Sequence, residues 1–86
     1  MKKILVLTSR KALGDIVAKK LSPRGYEVRV LDNSSGACPL IKDKKVDFVL
    51  FDVELALLEG PKALDTARAQ NPDVPVVVTS LIRPED

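Results

Sequence analysis

The chain has 86 residues, 45% hydrophobic and 30% charged, with 14 basic and 12 acidic side chains giving a formal net charge of +2. That balance suits one small folded domain, excludes intrinsic disorder, and leaves no concentrated charge to call for a nucleic acid or a membrane surface as partner. With no histidine and the single cysteine Cys38, a catalytic imidazole, a His-based zinc site, an internal disulfide and a thiolate metal cluster are all excluded.

Met1-Lys2-Lys3 opens like a signal peptide, but the apolar run behind it stops at Leu7, short of the ~7 to 15 residues such a segment needs. Charge or proline interrupts every other apolar stretch well before the ~20 residues of a membrane span, so a cytoplasmic location is expected. Ile4 to Leu7 reads instead as a buried strand. Leu13, Ile16, Val17 and Leu21 then recur at helical spacing, with Ser9 as the expected N-cap and Ser22-Pro23 with Gly25 as the stop.

Glu27 to Leu31 alternates, placing Val28 and Val30 on one face, the habit of an edge strand. Pro39 to Lys44 is a short helix candidate, and Lys42, Lys44 and Lys45 read as its solvated end. Val46 to Val53 (VDFVLFDV) and Val74 to Thr79 (VPVVVT) are apolar at consecutive positions, as strands covered on both faces are. Between them Pro61 opens a third helix with Ala63, Leu64 and Ala67 inward, closed by Asn71-Pro72. After Ser80 the segment LIRPED ends the chain where another helix could begin.

The order β-α-β-α-β-α-β predicts a parallel α/β sheet with right-handed crossovers. Ligands bind such sheets beyond the carboxyl ends of the strands, which points to Thr8-Ser9, Asp32-Asn33, Asp52 to Glu54, and Thr79-Ser80. Asp52, following VLF, is suited to act as a nucleophile or metal ligand, or to cap nearby backbone; position alone leaves these open. Glu54 is expected to face solvent.

VDFVLFDVELALLEGPKAL, ARAQNPDVPVVVTS and RGYEVRVLDN together resemble the two-component response-regulator receiver domain, over nearly the whole chain. The resemblance implies a flavodoxin-like, three-layer parallel sheet with strand order 2-1-3-4 and a single domain over 1–86, truncated after its fourth strand. It makes Asp52 the candidate phosphoacceptor, with Gly60 eight residues later opening a helix, and Thr79 the candidate hydroxyl for the phosphate. The family's two magnesium-binding acids fall on Thr8 and Ser9, and its proline four residues after the acceptor falls on Ala56. Hydroxyls are poor magnesium ligands, so the expectation is a pseudo-receiver with no metal and no other cofactor.

Its role is then a regulatory, non-enzymatic module that binds protein. Partners are a histidine kinase or another copy of itself, as a homodimer or by element exchange through the fourth strand, which would lie on an open edge. A phosphorylatable receiver completed by other elements is one alternative. A nucleotide or flavin binder using the loop TSRKALG is another, although neither G-x-G-x-x-G nor G-x-x-x-x-G-K-[ST] occurs. Neither direct nucleic-acid nor membrane contact is expected.

Overall fold

The computed structural model describes residues 1–81. Strands β1 (Lys2–Leu7), β2 (Tyr26–Leu31), β3 (Phe48–Asp52) and β4 (Val76–Thr79) form one parallel sheet in the order β2-β1-β3-β4. Helices α1 (Lys11–Leu21), α2 (Ser34–Lys42), α3 (Val53–Glu59) and α4 (Pro61–Gln70) pack on its two faces. The three-layer arrangement, the strand order and the edge position of β2 are those the sequence predicts.

Register decides which face each side chain meets. Leu31, Leu7, Phe51 and Val78 are aligned across the sheet on the face covered by α2, α3 and α4, where Ala37, Ile41, Leu55 and Ala67 complete the core. One residue earlier, Val30, Val6, Leu50 and Val77 form the matching row on the α1 face. Helix α1 sits over β2 on this side. Gly14 permits the close approach, since a Cβ there would meet Val30 Cγ1 at 2.5 Å and Thr8 Cγ2 at 3.3 Å. Beyond α1 the row opens: Val6 is fully buried, Leu50 partly, and Val77 is 41% exposed.

Several boundaries differ from the sequence expectation. The third strand ends at Asp52 rather than Val53, and Val53–Glu59 is a fourth, unanticipated helix. Its sequence VELALLE consists mostly of strong helix formers, and Ala56 carries the backbone N–H that proline would lack. The second helix starts at Ser34 and not at Pro39, because Asn33 Oδ1 accepts from the N–H of Gly36 at 2.7 Å and caps it there; Pro39 lies inside the helix. Val46 and Val74 are buried just ahead of their strands rather than within them.

The first helix stops as expected, through a 3-10 turn at Ser22–Arg24 and Gly25 at φ 91°. Pro61 opens α4 behind Gly60 at φ 90°. After α2 the turn puts Lys44 at φ 52°, with its N–H donating to Ile41 O at 3.1 Å. A lysine in this left-handed region costs roughly 1–2 kcal/mol that glycine would avoid. Leu81 lies outside any helix or strand, and the rest of the segment expected to start another helix lies outside the described residues.

Candidate functional site

At the carboxyl end of the sheet the apolar row on the α1 face gives way to Thr8, Asp52 and Thr79. The backbone N–H of Thr8 donates to Leu31 O at 2.9 Å, extending the β1–β2 ladder by one bond and fixing the threonine over the sheet. Its hydroxyl donates to Asp52 Oδ2 at 2.7 Å. Both groups are out of solvent, with Thr8 1% and Asp52 2% exposed. The sequence-predicted pair is therefore in direct contact, 44 residues apart in the chain.

Ser9 does not cap α1. The N-cap position belongs to Arg10, with no side-chain cap bond, and Arg10 N–H donates to Thr8 Oγ1 at 3.1 Å. Ser9 itself is exposed. The reason is geometric: Thr8, last of the buried run, points its hydroxyl inward between Asp52 and the turn, while the next residue points out.

Asp52 closes β3 and opens α3 with no loop between them, and its Oδ1 accepts from Glu54 N–H at 3.3 Å as the helix cap. The capping role that position alone left open is thus present. Glu54 is not simply solvated: its Oε1 lies 2.6 Å from Arg10 Nη2, an ion pair strapping the β1–α1 turn to α3. Thr79 is the register neighbour of Asp52 and is partly buried, with its hydroxyl 3.5 Å from Ser80 O. Asp32 accepts from Asn33 Nδ2 at 2.9 Å and takes no part in the Thr8–Asp52 contact.

The opposite end of α3 carries a residue that sequence reasoning missed. Glu59 Oε2 accepts from the N–H of Ser34 at 3.1 Å, placing a carboxylate at the start of α2, where the helix dipole favours it; Oε1 is buried without a partner. Nothing local foretells a contact across 25 residues. A glutamate just ahead of a Gly-Pro helix start was the available signal.

The donor set fits a magnesium ion badly. Magnesium is held through carboxylates and water in near-octahedral geometry. Here the Asp52 carboxylate meets the neutral Thr8 hydroxyl, and each of its oxygens already accepts a hydrogen bond. Among the described residues no three His, Cys, Asp or Glu side chains gather as possible ligands.

Residues 4–85 match the model of the response regulator receiver domain. This chain belongs to that family. The receiver domain is 29% identical to the nitrogen assimilation regulatory protein NtrX of Azorhizobium caulinodans over 79 residues, 90% of this chain and 17% of the relative. It superposes on the crystal structure of NtrX from Brucella abortus with a TM-score of 0.76 at 33% identity, over 93% of this chain and 18% of that one. A response regulator from Burkholderia pseudomallei, solved with a phosphorylated aspartic acid, a calcium ion and citrate, gives 0.77 at 25% identity, over 96% and 49% of the two chains.

The receiver therefore spans about one eighth to one third of the length of the curated relatives it matches. Its sheet is the flavodoxin-like one expected, and its family is that of two-component signalling. Among the described residues no helix is long and apolar enough to cross a membrane.

Proposed function

We propose that this receiver is a pseudo-receiver, a cytoplasmic and non-enzymatic signalling module that works through protein contacts without efficient magnesium-dependent phosphorylation. The observation that carries this reading is the buried hydrogen bond from Thr8 to Asp52 Oδ2. By the family resemblance the hydroxyl stands where a metal-binding acid would be held, and it donates to one of the two Asp52 oxygens. Charge developing in such a transfer then lacks a cation at the acceptor, usually the largest single source of stabilisation.

The partner is a protein: a histidine kinase, or a second copy pairing along β4. Among the described residues that strand is bonded on one side to β3, and Val77 is exposed. Neither a cofactor nor direct nucleic-acid or membrane contact enters the mechanism.

Incubation with a small-molecule phosphodonor and magnesium, followed by intact mass, tests the reading. No gain of phosphate is expected, and Asp52→Asn should leave partner binding unchanged. A hydroxylamine-sensitive gain of one phosphate, absent from Asp52→Asn, would sink it. That outcome is the second reading, a phosphorylatable Asp52 with Thr79 as phosphate-binding hydroxyl. It is favoured by the direct register of Asp52 with Thr79 and by the phosphorylated aspartic acid of the Burkholderia relative.

A further inference from the structure

Strand β2 is the edge of the sheet away from β4, so a further strand beside β4 would leave it as it is. Its backbone groups alternate in direction. Thr8 N–H donates to Leu31 O at 2.9 Å, which turns residue 31, and with it Glu27 and Arg29, toward β1. The N–H and C=O groups of Tyr26, Val28 and Val30 therefore point to the outer edge, where among the described residues no strand lies. Such a row is a template for another strand.

The side chains alternate as well. Tyr26, Val28 and Val30 are half-buried on the α1 face, while Glu27 and Arg29 stand exposed on the other. A groove of about 390 Å3 on that side, lined by Leu40 and Lys45 together with Glu27 and Arg29, leaves room for facing side chains. Glu27 pairs with Lys3 at 3.9 Å, but both side chains are more than half exposed, so the pair yields readily to another partner.

The placement of opposite charges on either side of Val28 decides what fits this edge. Two copies that join their β2 strands about a two-fold axis must run antiparallel. Hydrogen bonds then require outward residues opposite outward residues, so an axis near the middle of the strand passes through Glu27, Val28 or Arg29. An axis through Glu27 sets two carboxylates against each other, and one through Arg29 sets two guanidinium groups together. The axis through Val28 instead puts Glu27 of each copy opposite Arg29 of the other. In that register Val28 exchanges both bonds with its counterpart, and Tyr26 exchanges both with Val30. Glu27 and Arg29 then fall in the non-hydrogen-bonded pairs, where facing side chains lie closest.

We propose that β2 is a self-pairing edge, at which two copies of this chain join antiparallel about Val28 into one continuous sheet. This goes beyond the protein-contact role proposed above and seats the second copy on β2 rather than β4. The two fail separately, because phosphorylation of Asp52 would overturn that role and leave β2 as it is.

Sedimentation equilibrium of the 86-residue chain from ~10 μM to ~1 mM tests it. A reversible dimer is expected. Arg29→Glu and Glu27→Arg should each weaken it by about tenfold or more, since each sets like charges opposite one another in both pairs. An equimolar mixture of the two variants should recover association, because opposite charges again face each other. Carrying both substitutions in one chain should restore the dimer in the same way. Lys62→Glu, an equal charge change at an exposed site on α4, should leave Kd within about twofold. These positions are exposed, so Tm measured on dilute samples should change little. The proposal is overturned if no dimer forms by ~1 mM, if Arg29→Glu leaves Kd unchanged, as pairing through β4 would, or if the mixture associates no better than its components.

Discussion

The two faces of the sheet are built from the same strands and equally apolar residues, yet they end in different states. On the α2–α3–α4 face Leu5, Leu7, Val49 and Phe51 are fully buried. On the α1 face burial is incomplete: Val6 is inaccessible, Phe48 and Leu50 are partly covered, and Val77 is exposed. Strand composition specifies that both faces can be buried. Which one is covered depends on where the helices land, and among the described residues three of the four fall on one side.

That contrast can be broken or sharpened by substitution. Phe51→Ala should cost the most, about 3–5 kcal/mol in chemical denaturation, because it empties the centre of the covered face. A cost below ~1 kcal/mol would mean that this core is loosely packed. Gly14→Ala probes the covered part of the other face, where Val30 leaves no room for a methyl group; a loss of about 1–3 kcal/mol is expected from overpacking. Measuring no loss would show that α1 stands off the sheet.

Thr8→Val keeps the shape but deprives buried Asp52 Oδ2 of its donor, with an expected loss of about 1–3 kcal/mol that Thr8→Ser should largely recover. Equal losses in the two variants would assign the effect to packing and not to the hydroxyl. Smallest should be Val77→Ala, within about 0.5 kcal/mol, as for most exposed positions. If it approaches the Phe51→Ala value and Tm rises with protein concentration, the open part of the face is covered by a second copy in solution.

The sequence displayed strands well because their runs are short, β-branched and bounded by turn residues. It displayed the contact of Thr8 with Asp52 through resemblance alone, since spacing along the chain carries no distance across a sheet. VELALLE was hidden by its position, joined to a strand without a loop, so that one apolar run contained two elements. Asp52 was readable as a cap but not the helix it caps, and Asn33 three residues before Gly36 was the overlooked cap signal for α2. The choice of Ser9 over Thr8 failed for a different reason. Both carry hydroxyls, and only the fold decides which of them turns inward.

Helix α3 has seven residues, too few to persist alone in water, and it is moored by a carboxylate at each end: Asp52 to its own first turn and Glu59 to the start of α2. Between the moorings Leu57 and Leu58 face solvent. Loosening either end should therefore be felt along the whole segment as one opening unit, with its amide hydrogens exchanging together ahead of those in β1 and β3. The segment thereby links buried Asp52 at one end to the start of α2 at the other, so a disturbance at either carboxylate reaches the exposed Leu57 and Leu58 between them.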